Sequence, residues 1–212
     1  RGQARALSRR QCNQLDAVIV PSTAMRQRLE SYGVKSPMHV LPTGIPMAQF
    51  AGGNGMRFRQ KFGIAESRPM ALFVGRVAHE KNIGFLLEAL VQARQIRPDV
   101  LLVIAGEGPA MADLKAQTTA LGLQDAVLFI GYLDRKQALP DCYAAANVFV
   151  FASLTETQGL VLLEAMAAGV PVIALSEMGT IDILAPARGA FSPPNDPRAF
   201  GEIHFVRRMR GG

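Results

Sequence analysis

The chain has 212 residues, a net charge of +6 and 49% apolar residues, enough for one large domain or one and a half. Its two cysteines, Cys12 and Cys142, stand far apart in no paired motif, which argues against a disulfide framework and for a reducing, cytoplasmic compartment. No apolar run approaches the roughly 20 residues of a membrane-spanning helix, and the basic start RGQARALSRRQ lacks the apolar core of a secretion signal.

The chain opens without an initiator Met and closes on RRMRGG, which points to an excised fragment. Arg1, Arg5, Arg9, Arg10, Arg26, Arg28, Lys35, Arg57, Arg59 and Lys61 crowd residues 1–61 of the first third, against Asp16 and Glu30. Such a bias suits an anionic partner, whether nucleic acid, phospholipid headgroups or a phosphorylated ligand, and equally a plain solvated basic face. With no Trp in the chain, nucleic-acid stacking platforms are not expected.

In chain order, LDAVIVPS predicts a strand ending in Ser22, a helix N-cap; TAMRQRLESYGV predicts a helix closed by Gly33; MHVLPTGI predicts a second strand. The glycines of MAQFAGGNGM read as a linker or mobile loop rather than core. From Met70 the grammar changes. MALFVG, VLLVIAG, AVLFIG, NVFVFAS and VPVIAL are almost continuously apolar, as strands buried on both faces are. Between them, NIGFLLEALVQARQI, GPAMADLKAQTTALG, RKQALPDCYAAA and GLVLLEAMAAG read as helices. Strand alternating with helix predicts a Rossmann-like, doubly wound parallel α/β sheet, whose ligands bind at the carboxyl ends of the strands.

The loops at those ends carry the candidate chemistry. After the first main strand, Gly75 turns the backbone, and Arg76 and Lys81 set two cations that suit a diphosphate or form an ordinary surface pair. Gly106 and Gly108 permit close backbone approach after the second strand, with Pro109 suited to a first helical position. Gly131, Tyr132 and Leu133 follow the third strand, where the last two offer backbone groups and an apolar surface to a base. Glu156 lies in the loop before a helix opened by Gly159, whose N-terminus suits a phosphate. Glu164 falls in the second helical turn among Leu162, Leu163, Ala165 and Met166, where a carboxylate needs hydrogen-bonding partners. A helical rise of about 12 Å separates the two acids. That is too long for an acid/base pair and comparable to the reach from sugar to ribose in a nucleotide sugar.

The ordered set DAVIVPSTAMRQRL, HVLPTGI, FVGRVAHEKN, VIAGEGP, LFIGYLD and SLTETQGLVLLEAMAAGVPVIA resembles the retaining glycosyltransferases of family 4, the group 1 glycosyl transferases. The resemblance implies the GT-B architecture: the end of an N-terminal domain over residues 1–45, a linker over 46–66 and a nucleotide-sugar-binding C-terminal domain over 67–212. It implies that Arg76 and Lys81 hold the donor diphosphate, that Glu156 with the backbone of Thr157, Gln158, Gly159 and Leu160 meets the donor sugar and β-phosphate, and that Glu164 binds the ribose. Tyr132 and Leu133 would flank the base, with Gly75, Gly106 and Gly131 lining the cleft.

Arg76, Lys81 and Glu156 form the implied catalytic set, with Glu156 positioning the donor rather than attacking it. Gln158 stands where many members carry an aromatic residue, and PTGI where PNG followed by an acid is commoner. The resemblance implies no cofactor and no metal, and His39, His79 and His204 have no ligand spacing. It implies a UDP-, GDP- or ADP-sugar donor and a hexosyl group passed to a glycan or lipid acceptor, and the basic first third would suit peripheral residence on an anionic cytoplasmic membrane. A nucleotide-sugar epimerase or sugar phosphorylase on the same fold, or a non-catalytic module for anionic ligands, are the competing readings.

Overall fold

The computed structural model describes residues 2–184 and 189–205, with side chains through residue 202. Arg1, the His204 side chain and the closing RRMRGG lie outside the described residues.

The first helix, α1 (Gly2–Cys12), covers a stretch for which the sequence reading assigns no element. β1 (Val18–Val20) and β2 (Met38–Val40) pair in parallel around α2 (Thr23–Ser31). Ser22 is the N-cap of α2, its hydroxyl accepting the Met25 N–H at 3.2 Å, as the sequence predicts.

The main sheet holds six parallel strands: β3 (Met70–Val74), β4 (Leu101–Ala105), β5 (Val127–Gly131), β6 (Val148–Phe151), β7 (Val172–Ala174) and β8 (Ala190–Phe191). Their spatial order is β5-β4-β3-β6-β7-β8. The chain therefore runs outward from β3 to one edge, returns to the middle, and runs outward again from β6, the hallmark of a doubly wound sheet. β3, β4 and β6 are buried along their whole length, which accounts for their unbroken apolar sequence.

The segment expected to be a linker or mobile loop is built differently. α3 (Met47–Ala51) and α4 (Gly55–Lys61) form there and deliver Phe50 and Phe58 to the central core. The glycines between them serve close approach rather than flexibility: a Cβ on Gly53 would fall 2.2 Å from the Pro140 carbonyl oxygen, and one on Gly55 2.4 Å from that of Ala144. Both contacts are to α7 (Ala138–Ala145).

Two cations of the basic first third are spent in the same joint. Arg57 pairs with the buried Asp141 at 2.6 Å, and the buried Arg59 donates to the carbonyls of Ala145, Ala65 and Arg68. They are structural clasps, so the basic face is smaller than the sequence suggests.

The remaining crossover helices are α5 (Ile83–Ile96), α6 (Met111–Ala120) and α8 (Leu160–Ala167), followed by the short α9 (Ile181–Leu184). Pro109 precedes α6 by two residues instead of opening it. Among the described residues no helix is long and apolar enough to cross a membrane.

Candidate functional site

β3 and β6 are hydrogen-bonded neighbours at the point where the winding reverses, so the loops leaving their carboxyl ends open into one crevice. Three loop glycines tie the crevice floor together. The Gly75 N–H donates to the Ala105 carbonyl at 3.0 Å and the Gly106 N–H to the Gly131 carbonyl at 2.8 Å. A Cβ on Gly106 would lie 1.9 Å from the Gly75 carbonyl oxygen, so the two loops meet only because that residue is glycine.

A cavity of about 280 Å³ opens over this floor, lined by Gly75, Arg76, Gly106, Tyr132, Leu133 and Arg135 among others. The Tyr132 side of the wall is open, with that residue 71% exposed. Five residues expected from the sequence therefore converge here. Gly131 sits at the edge, its Cβ position 3.3 Å from a Glu107 carboxylate oxygen.

Lys81 and Glu156 bridge the reversal point. Lys81 ends a 3₁₀ turn (His79–Lys81) after β3, and Glu156 lies in the loop after β6. Lys81 Nζ is 2.6 Å from Glu156 Oε2, with the side chains 20% and 18% exposed. The loop is braced by its backbone: the Thr157 N–H donates to Glu156 Oε1 at 3.2 Å and the Gly179 N–H to the Glu156 carbonyl at 2.8 Å. Arg76 differs from Lys81. It is largely solvent-exposed and reaches Glu80 only at 4.0 Å, a contact of little energetic weight. The two expected cations are thus unequal, one engaged and one extended into solvent.

α8 starts at Leu160 after Gly159, whose left-handed φ of 65° turns the loop into the helix without a side chain over its N-terminus. One turn further in, Glu164 is 2% exposed and has the hydrogen bonds that its apolar neighbours require. Arg135 Nη2 donates to Oε1, and the Tyr143 hydroxyl donates to Oε2 at 2.8 Å. Burial raises the Tyr143 pKa well above its ordinary value, and the neighbouring Glu164 charge adds to this, so the phenol stays a donor. The contact with Glu164 raises the Arg135 pKa in turn.

Gln158 and Leu160 stand apart from the first cavity. They line a second one of about 310 Å³ with Pro21, Ser22, Thr43 and Leu163, and Gln158 Nε2 donates to Thr43 Oγ1 at 2.8 Å. The second cavity lies between α8 and the β1/β2 unit. His79 faces Asp113 at 3.4 Å on the surface and His39 is exposed on β2, away from both cavities.

Arg135 and Tyr143 are the residues sequence reading missed. Both lie in RKQALPDCYAAA, read only as helix. The available signal was Glu164 itself, a carboxylate in an apolar helix that demands donors from a neighbouring element.

Residues 56–203 match the family model described as glycosyl transferases group 1, and residues 1–49 match that of glycosyltransferase family 4. Alpha-monoglucosyldiacylglycerol synthase of Streptococcus pneumoniae is 40% identical over 165 residues, covering 76% of this chain and 37% of the relative. A GDP-mannose-dependent phosphatidylinositol monomannoside mannosyltransferase of Mycolicibacterium smegmatis is 33% identical over 181 residues, covering 81% and 47%. The chain thus spans less than half the length of either relative.

Among solved structures, the Anabaena protein HepE in complex with UDP and glucose superposes with a TM-score of 0.86 at 22% identity, over 99% of this chain and 58% of that one. Sucrose-phosphate synthase of Thermosynechococcus elongatus superposes at 0.80 with 26% identity, over 99% and 57%. These neighbours are GT-B proteins, which agrees with the doubly wound sheet. Because one family model spans well over half of its residues, this chain belongs to the group 1 glycosyl transferases.

Proposed function

We propose that the chain is the donor-binding part of a retaining glycosyltransferase that takes a nucleotide-diphosphate sugar and passes a hexosyl group to a glycan or lipid acceptor. The observation that carries this reading is the Lys81–Glu156 contact across the β3/β6 reversal point, beside a cavity sized for a base. In this reading Arg76 and Lys81 bind the diphosphate and Tyr132 and Leu133 flank the base. Glu164 receives the ribose hydroxyls. Glu156 and the backbone from Thr157 to Leu160 position the sugar. Two cations and the α8 N-terminus stabilise the charge that develops on the leaving diphosphate, the largest single contribution a site of this kind makes.

The donor base is read as uracil because the neighbour HepE was solved with UDP, while the guanine of the mycobacterial relative is the alternative. A lipid acceptor is supported by the names of the relatives, a monoglucosyldiacylglycerol synthase and a phosphatidylinositol monomannoside mannosyltransferase. The basic bias of the first third supports a cytoplasmic enzyme resting on an anionic membrane. The isolated chain binds donor nucleotide without turning it over, because the resemblance puts the acceptor side on an N-terminal domain.

Calorimetric titration with UDP, GDP and ADP tests the reading. Saturable binding of one of them, weakened by Arg76→Ala, is the expected result. Affinity only for anionic vesicles, with no nucleotide binding, would favour the non-catalytic module.

A further inference from the structure

We infer that Arg135 is a guanidinium cap on Glu164, and that the ribose hydroxyls of an incoming nucleotide displace it. This rests on the reading of the crevice as a nucleotide site and adds a residue that controls it.

Glu164 is buried and is absent from the cavity wall, whereas Arg135 forms part of that wall and touches the acid with its far end. Arg135 therefore stands between the space a nucleoside would fill and the carboxylate that would receive its hydroxyls. The Arg135 side chain is 57% exposed, and its guanidinium also passes 5.9 Å from the Phe50 ring centroid. Its backbone is fastened on both sides. Asp134 accepts the N–H groups of Lys136, Gln137 and Ala138, and the Arg135 carbonyl accepts from Gln49 Nε2. Uncapping thus needs a rotamer change of one long side chain, with no movement of the loop.

The exchange keeps the acid hydrogen-bonded at both oxygens, a neutral hydroxyl standing in for the cation at one of them. An ionised carboxylate accepts at about four lone-pair sites. Tyr143 keeps Oε2, and a ribose hydroxyl takes over the place at Oε1 that the guanidinium leaves. The cap competes with the ribose, so the hydroxyls contribute less to affinity than they would against an uncapped acid. Arg135 acts through Glu164, which makes it a positioning residue whose mark is ribose discrimination rather than overall affinity.

The test compares dissociation constants of UDP and 2′,3′-dideoxy-UDP for the 212-residue chain and for Arg135→Ala, with Arg135→Lys as the charge-conserving control. The expected result is that the preference for ribose widens about tenfold in Arg135→Ala, the effect of one hydrogen bond to a charged group. Arg135→Lys should stay near the unsubstituted value. An unchanged or narrowed preference in Arg135→Ala, with UDP still bound, would overturn the cap and leave the donor reading intact. Failure of the unsubstituted chain to bind any nucleotide would overturn both.

Should Arg135→Ala not fold, the Arg135 side-chain NMR signal of the unsubstituted chain decides. It should shift on adding UDP and keep its position on adding the dideoxy analogue. Equal shifts with both ligands would count against displacement by ribose.

Discussion

Lys81 Nζ lies 2.6 Å from Glu156 Oε2, joining the loops that leave two adjacent strands at the reversal point of the sheet. In the proposed reading the cation for the diphosphate and the acid for the sugar neutralise each other, and a donor has to part them. Lys81→Met should lower UDP affinity at least tenfold, since a hydrogen bond to a charged group contributes about 1.5–3 kcal/mol. Glu156→Gln should leave UDP affinity equal or higher, because Lys81 is released, while the added affinity of a UDP-sugar over UDP is lost. Calorimetry reads both. Undiminished UDP binding by Lys81→Met would remove Lys81 from the phosphate site.

Tyr143→Phe keeps a buried ring against Phe50 and Phe149 but deletes the donor to Glu164 Oε2. Leaving half of a buried carboxylate unsatisfied costs about 1–3 kcal/mol. Urea unfolding should show the midpoint falling with an unchanged slope. A variant as stable as the parent would mean that another donor or a water serves Oε2.

Gly106→Ala should be among the most disruptive single-methyl changes in the chain. Its new Cβ is aimed at the Gly75 carbonyl oxygen, a backbone atom that cannot swing aside. Overpacking of this kind costs about 1–3 kcal/mol, and the loops that floor the cavity must separate. Thermal unfolding should report the loss of stability and titration the loss of nucleotide affinity. Full retention of both would show that β3 and β4 can splay freely at their ends.

Asp141 gives a pH signature. Burial opposes its ionisation, but the Arg57 guanidinium and the Asn54 N–H outweigh it, and the pKa lies below the usual carboxylate value. A depressed folded-state pKa gives stability that is fully present above the unfolded value of about 4 and is lost as pH falls through the folded one. Asp141→Asn should therefore be less stable than the parent at pH 7, and the gap should close below about pH 4. A gap that is constant from pH 7 to pH 3 would assign the effect to packing.

The central strands were legible because burial on both faces leaves no room for polar residues, and β3, β4 and β6 show it in their letters. Phe50 and Phe58 were not. Their short helices fall among Gly52, Gly53 and Gly55, and sequence does not distinguish a glycine that bends freely from one pressed against another backbone, as Gly53 is against Pro140.

The same asymmetry holds at the site. Glu164 announces itself as an acid among apolar residues, whereas Arg135, exposed beside Lys136, looks like any surface cation. Its partner is 29 residues away in the chain, and only the fold brings the two together. Gln158 enters the resemblance through its backbone, and the partner of its side chain, Thr43, lies 115 residues earlier.

In the proposed donor site Glu156 and Glu164 meet an incoming ligand already matched, Glu156 by Lys81 and Glu164 by Arg135. A stray phosphate gains Lys81 only by stranding Glu156, and a free sugar that draws on Glu156 strands Lys81. Each half-ligand leaves a charge orphaned in a partly dry crevice. A molecule carrying anionic oxygens and hydroxyl donors on one frame settles every broken pair in the same event. In the proposed reading the site thus works as a coincidence detector, silent to phosphate or sugar alone and responsive to the two when they are covalently joined.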